Sequence, residues 1–203
     1  EAARKIGVRK VVYASTGGAV YGEPEYLPVD EQHPIKPVDP YGASKHHVEH
    51  YLHIYGLHFG VDYTILRYPN VYGPRQDPFG EAGVIAIWTE RMLHGKEAVI
   101  NGSGDQERDF CYVGDVARGN VLALTRGSRE IYNLGTGVGS SINRVYTLLR
   151  EYTGYTGPEV HGPAKQGEVW RTWLKVDKAR EGLGWSALVP LEEGLKRTVE
   201  SFR

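Results

Sequence analysis

Val11-Val12-Tyr13-Ala14-Ser15-Thr16-Gly17-Gly18 runs from four apolar residues into two hydroxyls and two glycines. An apolar run this short, bounded by charge on one side and by Ser and Gly on the other, predicts a buried strand of the parallel-sheet kind. Downstream, Asp39-Pro40 supplies a helix cap and a first-turn proline. A helix is therefore predicted over 41–59, with Gly60 as its stop. Tyr63-Thr64-Ile65-Leu66 predicts a second strand. Between the first strand and that helix, residues 16–40 carry Gly17, Gly18, Gly22 and a series of prolines. Loops of this length inside a compact domain usually carry function.

The same alternation continues outward. Helices are predicted over 82–94, from Asp115 to about Arg126, over 142–153 behind a Ser141 cap, over 177–182 and after Pro190. Strands are predicted over 98–100, 109–113 and 131–134. Residues 1–6 read as the last turns of a helix stopped by Gly7. Strands alternating with helices define an α/β fold.

Composition removes several function classes. In 203 residues, 24 Lys and Arg stand against 25 Asp and Glu. Such a balance gives no single-sign field to draw in nucleic acid or an anionic membrane. No apolar run approaches the ~20 residues of a membrane span. Cys111 is the sole cysteine, so the chain holds no internal disulfide, which fits a reducing cytoplasm.

Tyr41 and Lys45 carry the strongest chemical signal. Four residues apart, they share one helix face. A nearby ammonium favours the phenolate, so a Tyr beside a Lys can act as a general acid or base near neutral pH. The same spacing also fits an ordinary tyrosine packed over a lysine stem. Context weighs against that. Ser15 and Thr16 stand at a strand's carboxyl end, where open α/β sheets bind ligands.

Here a resemblance enters. Tyr13-Ala14-Ser15-Thr16-Gly17-Gly18-Ala19-Val20-Tyr21-Gly22 and Pro40-Tyr41-Gly42-Ala43-Ser44-Lys45 resemble the extended short-chain dehydrogenase/reductase family. Three later stretches extend the likeness: 67–76 (Arg-Tyr-Pro-Asn-Val-Tyr-Gly-Pro-Arg-Gln), 108–117 (Arg-Asp-Phe-Cys-Tyr-Val-Gly-Asp-Val-Ala) and 132–137 (Tyr-Asn-Leu-Gly-Thr-Gly). Within the family the chain is most similar to the NAD-dependent epimerases and dehydratases of nucleotide sugars. The resemblance implies a doubly wound, Rossmann-type parallel sheet domain joined to a smaller α/β sugar-nucleotide domain. Residues 1–80 and 108–126 would belong to the NAD-binding part, and 81–107 and 127–203 to the sugar-nucleotide part.

The implied reaction is epimerisation at C4 of a UDP-hexose, UDP-glucose or UDP-galactose, through a 4-keto intermediate with NAD as hydride carrier. By the likeness, Tyr41 is the acid/base, Thr16 with Ser15 beside it supplies the strand-end hydroxyl, and Lys45 also holds the nicotinamide ribose. Tyr68 and Pro69 stand against the nicotinamide. Related 4,6-dehydratases carry an Asp-Glu pair where this chain has Gly17-Gly18, which offers no titratable group and argues against dehydration. On the substrate side the likeness implies Asn70 at the diphosphate, Gly83 and Val84 along the uridine, and the Val99-Ile100-Asn101 strand at the uracil edge. Arg108 would meet a phosphate, with an ion pair to Asp109 or Asp115 as the plain alternative. Lys165-Gln166-Gly167-Glu168 matches an Arg-x-Gly-acid stretch, with Lys where the family has Arg. UDP-glucuronate, a UDP-N-acetylhexosamine or a dTDP-sugar remain open as substrates.

Other features carry weaker expectations. His46, His50 and His53 share one helix face, but no fourth ligand is evident and no metal is assigned. Relatives pair through this helix, so a homodimer across 41–59 is implied, with Tyr51 and Tyr55 suited to that surface. Trp170 and Trp173 fit stacking on a base or sugar, or plain packing. Gly135-Thr136-Gly137-Val138-Gly139 has the wrong spacing for a dinucleotide turn and is assigned to the sugar side. No strand–Gly-x-x-Gly-x-x-Gly–helix unit occurs in the 203 residues. The chain is thus expected to be part of a longer protein and, taken alone, to bind a sugar nucleotide without turning it over.

Overall fold

The run that opens at Val11 forms β1 (Val11–Thr16), which follows a single turn, α1 (Ala2–Lys5). Ser15 and Thr16 extend the strand because they stay in register with the next one. The computed structural model describes residues 1–80 and 83–203. α2 (Pro40–Phe59) is capped by Asp39, whose side chain accepts the Gly42 N–H at 2.6 Å, and it stops at Gly60 with φ of 70°. β2 (Tyr63–Tyr68) then runs parallel to β1, with Val11 opposite Tyr63 and Thr16 opposite Tyr68. A long helix between parallel neighbours is the βαβ unit.

Pro69 stands where the chain leaves one sheet for another. The Tyr68 carbonyl accepts the Gly17 N–H at 2.6 Å, and the Asn70 N–H donates to the Asp109 carbonyl at 2.9 Å. Proline has no N–H to give, and at this switch none is needed. β3 (Asn70–Tyr72) continues, followed by α3 (Val84–Leu93), β4 (Val99–Asn101), β5 (Glu107–Arg108) and β6 (Phe110–Tyr112). The helix start expected at 82 and the boundary expected at 81 lie outside the described residues.

α4 (Val113–Ala123) begins two residues before Asp115, its expected start. Asp115 does not cap the helix. Its carboxylate accepts the N–H groups of Leu188 and Val189, each at 2.9 Å. β7 (Glu130–Asn133), β8 (Ser140–Ser141), α5 (Ile142–Thr153), β9 (Val160–Gly162), β10 (Arg171–Thr172), α6 (Asp177–Leu183) and α7 (Leu191–Phe202) complete the chain. Ser141 caps α5 as expected, accepting the Arg144 N–H at 3.1 Å.

The sheets are small and mostly parallel. β1, β2 and β7 form the first; β3 pairs with β6 and β4 with β9, all in parallel. β5 lies between β10 and antiparallel β8. Leu66, Tyr132, Leu134, Leu183 and Trp185 fill one core against the first sheet. Trp88, Tyr146, Leu149 and Leu195 anchor a second among α3, α5 and α7. A third, around Val20, Tyr21, Val29 and Leu174, holds the long loop after β1. The expected division grouped 127–203 as one unit. Within that stretch β7 pairs with β2 in the first sheet, and α6 with Trp185 packs in the same core. Among the described residues no helix is long and apolar enough to cross a membrane.

The start of α2 is fitted closely to the loop beneath it. A Cβ on Gly42 would lie 2.8 Å from the Ala19 carbonyl oxygen, which is backbone and cannot swing aside. Gly42→Ala should therefore destabilise the protein by about 1–2 kcal/mol, although alanine is intrinsically the better helix former by about 1 kcal/mol. A denaturant melt in which Gly42→Ala is the more stable form would refute the close fit.

Candidate active site

The carboxyl ends of β1 and β2 and the first turn of α2 frame an open cleft of about 550 Å³. Ser15, Thr16, Tyr41, Tyr68, Pro69 and Asn70 line it, joined by Gly83 and Arg108. Tyr41 is 54% exposed and faces this space. The Lys45 ammonium lies 5.8 Å from the centre of the Tyr41 ring and 5.4 Å from that of Tyr13. It donates to the Ala14 carbonyl at 3.0 Å. An ammonium has three N–H donors, so two stay free for a ligand hydroxyl or a phenolate.

Ser15 reaches the cleft beside Thr16, and its hydroxyl donates to Glu49 Oε1 at 2.5 Å. Thr16 is thereby left as the strand-end hydroxyl of the cleft. Glu49 was not singled out from the sequence, although it lies four residues beyond Lys45 on the same face. Its carboxylate accepts Arg67 Nε at 3.0 Å and Nη2 at 2.6 Å, and lies 3.1 Å from His46 Nδ1. Burial opposes the charge on Glu49, but the bonds and charge of Arg67, with Ser15 and His46, hold its carboxyl below the usual range.

The three histidines do not share a centre. The Nε2 atoms of His46 and His50 are 3.0 Å apart, whereas His53 turns to the Tyr63 hydroxyl at 3.5 Å. Among the described residues no group of three or more His, Cys, Asp or Glu is placed to hold a metal ion.

A second cavity of about 210 Å³ adjoins the first through Asn70, Gly83 and Arg108. It takes in Val84, Asn101, Lys165 and Glu168, and also Trp88, Gln106, Phe110 and Ile142, which the sequence reading missed. Gln106 was within reach of that reading, since alternate residues of an extended segment share a face and Arg108 is two residues on. Val99 lines neither cavity. It sits two residues, or about 6.6 Å, back along the strand from Asn101. Its carbonyl accepts the Trp88 indole N–H at 3.1 Å.

Arg108 pairs with neither Asp109 nor Asp115. Only 8% exposed, it donates to Glu168 Oε1 at 3.0 Å and to the carbonyls of Glu107 and Trp170. Burial pushes its pKa down, and Glu168 works against that. Asp109 faces the other way and accepts from Thr136, Gly137 and Leu174. The glycine-rich turn after β7 thus closes on an internal carboxylate. Its Thr136 and Val138 line a separate groove with Leu188, so it joins neither cavity assigned to the sugar nucleotide. Trp170 serves Arg108 through its backbone, and Trp173 packs over Gly139.

Tyr41 stands at the carboxyl edge of a parallel sheet with Lys45 beside it, next to a cavity that holds the buried Arg108 guanidinium. The chain belongs to the NAD dependent epimerase/dehydratase family, whose sequence profile matches residues 1–135. A putative UDP-glucose 4-epimerase of Methanocaldococcus jannaschii is 50% identical over 199 residues, 98% of this chain and 65% of that protein. The crystal structure of UDP-glucose 4-epimerase from Thermotoga maritima with UDP-glucose superimposes with a TM-score of 0.97 at 50% identity, over 99% of this chain and 65% of that one. That of the Thermus thermophilus enzyme in complex with NAD gives 0.93 at 45% identity, over 100% and 66%. The chain spans about 65% of the length of the relatives it matches.

Two outcomes follow from these geometries. Arg108→Met should weaken UDP binding by about 10- to 100-fold in calorimetry, the effect of one lost charge-assisted contact. Unchanged affinity would remove Arg108 from the ligand site. Glu49 has a depressed pKa in the folded state, so its stabilisation is present above the unfolded Glu range near ~4.3 and is lost as pH falls through the folded value. Melting midpoints between pH 7 and pH 3 should therefore fall less steeply in Glu49→Gln, and equal slopes would contradict this.

Proposed function

We propose that this chain forms the acid/base centre and the sugar-nucleotide pocket of an NAD-dependent 4-epimerase of UDP-hexoses, interconverting UDP-glucose and UDP-galactose. One observation carries the reading. A single cleft is lined by Tyr41 and Thr16, has the Lys45 ammonium 5.8 Å from the Tyr41 ring centre, and shares Asn70, Gly83 and Arg108 with the cavity of Asn101. The similarity to UDP-glucose 4-epimerases at 50% identity supports it.

The residues present fit the cofactor. The cleft lies at the carboxyl edge of a parallel sheet, and Lys45 has donors to spare for ribose hydroxyls beside Tyr68 and Pro69. NAD, when bound, supplies the hydride exchange that interconverts the C4 alcohol and ketone. The rest falls to side chains of this chain. Tyr41 takes the proton from the 4-hydroxyl and returns it at the end of the cycle. Lys45 stabilises the phenolate in between. Thr16 hydrogen-bonds the same oxygen and keeps it within reach of Tyr41. Arg108 and Lys165 meet the diphosphate, and Asn70, Gly83, Val84 and Asn101 line its path toward the uridine. The 4-keto sugar turns within the open cleft while the nucleotide stays held. A second copy would pack on the face of α2 where Tyr51, Ile54 and Leu57 are exposed.

Tyr41→Phe removes the proton carrier and leaves the ring. In the protein at its full encoded length, it should lower UDP-galactose turnover by at least about 100-fold. UDP affinity, set in the neighbouring cavity, should stay within about twofold. Near-parental turnover in Tyr41→Phe would sink the reading.

A further inference from the structure

We propose that the buried Glu49–Arg67 ion pair is the positioning device of the catalytic cleft, acting through Ser15 and through the stripe of α2 that carries Tyr41 and Lys45. The proposal rests on the reading of that cleft as an acid/base site.

Tyr41, Lys45 and Glu49 follow one another at intervals of four and so form one stripe along α2. Two of them pin the helix to successive residues of β1. Lys45 Nζ donates to the Ala14 carbonyl at 3.0 Å, and Glu49 Oε1 accepts from Ser15 Oγ at 2.5 Å. The next residue of the strand is Thr16. The axial position and rotation of α2, and with them the distance from Tyr41 to Thr16, are therefore set at these two points.

Arg67 fixes Glu49 in turn. It comes from β2 and grips both carboxylate oxygens, Nε to Oε1 at 3.0 Å and Nη2 to Oε2 at 2.6 Å. Its third nitrogen, Nη1, donates to the Tyr21 hydroxyl at 2.8 Å. Tyr21 donates onward to Asn133 Oδ1 at 2.8 Å, and Asn133 Nδ2 to the Val29 carbonyl at 3.0 Å. One network thus joins α2, β1, β2, β7 and the long loop.

Glu49 and Arg67 are 3% and 2% exposed. A buried ion pair is a poor device for stability alone, because two well-packed apolar side chains of similar volume do as well or better. Hydrogen bonds fix direction, which apolar contacts do not. The directional consequence here is that Ser15 points to Glu49 and α2 is held in one rotation. Glu49 does not line the cleft, and its role is exerted through Ser15 and α2.

The test uses the NAD-loaded protein at its full encoded length. Glu49→Gln, Ser15→Ala, the double replacement Glu49→Leu/Arg67→Met and Tyr41→Phe are compared with the parent. Turnover is expressed per UDP-binding site, counted by calorimetry, and melting is recorded in parallel. Glu49→Gln and the double replacement should lose about 10- to 100-fold in kcat, the range for a sub-ångström to 1 Å misplacement, with KM and UDP affinity within about twofold. Ser15→Ala should lose about 3- to 10-fold and melt below the parent but above Glu49→Gln, because the Glu49–Arg67 pair is kept. The double replacement should melt near the parent, while Glu49→Gln, which strands Arg67, melts lower. Recovery of both melting and kcat in the double replacement overturns the proposal. Should that protein not fold, parental kcat in both Glu49→Gln and Ser15→Ala overturns it equally. An active Tyr41→Phe removes the acid/base reading and this proposal with it. An inactive Tyr41→Phe beside fully active Glu49 variants removes the positioning role alone.

Discussion

A carboxylate and a guanidinium lie out of water where α2 crosses β1 and β2. Each buried ion costs several kcal/mol in lost hydration, and only close pairing with the remaining bonds satisfied offsets that. Glu49 meets the condition with Arg67 on both oxygens, Ser15 on one and His46 on the other. Arg67 meets it with Tyr21 on its remaining branch. None of these partners is local to another in sequence, His46 beside Glu49 excepted. The network exists only when helix, both strands and the long loop are all in place, so the cleft above it is assembled by the fold as a whole.

The second constraint is the change of sheet at Pro69. Before it, the chain belongs to the β1–β2–β7 sheet; after it, Asn70 pairs across to the segment of β6. The cleft lies along that seam, so residues on either side face one space. Alternation along the 106–109 stretch does the rest. Gln106 and Arg108 face the cavity, while Asp109 turns inward to hold Thr136 and Leu174. Arg108 is compensated by Glu168, with Lys165 nearby on the same segment.

Much of this was legible in the sequence. Asp39-Pro40, Gly60 and Ser141 act within a few residues of themselves, and caps of that kind are read from local order. Tyr41 and Lys45 were legible because helical spacing alone puts them together. The bond that Ser15 makes was not legible for the opposite reason. Its partner Glu49 is 34 residues away, and a serine carries no local sign of which acceptor it will choose. The partner of Arg108 lies 60 residues on, and two nearer acids, Asp109 and Asp115, were each taken by backbone N–H groups from other segments. The pairing of β7 with β2 was not legible, because a four-residue strand shows its pattern but not its neighbour.

The two glycines after Thr16 bear on the type of reaction through space rather than flexibility. A Cβ on Gly17 would fall 2.5 Å from Leu174 Cδ1, and Leu174 is itself fully buried with its N–H bound to Asp109. Position 17 therefore has no room for a working side chain. Gly18 is different. Its Cβ would have Asn70 Oδ1 at 3.7 Å and Thr16 Oγ1 at 3.9 Å as its nearest neighbours, so a side chain there would stand in the cleft itself. Dehydration needs a further acid and base beside the one that serves the 4-hydroxyl. With position 17 closed and position 18 bare, neither glycine position adds a titratable group beside Tyr41 at this end of the cleft. The absence of a titratable side chain at positions 17 and 18 is consistent with the proposed epimerisation and gives elimination of water no second acid there.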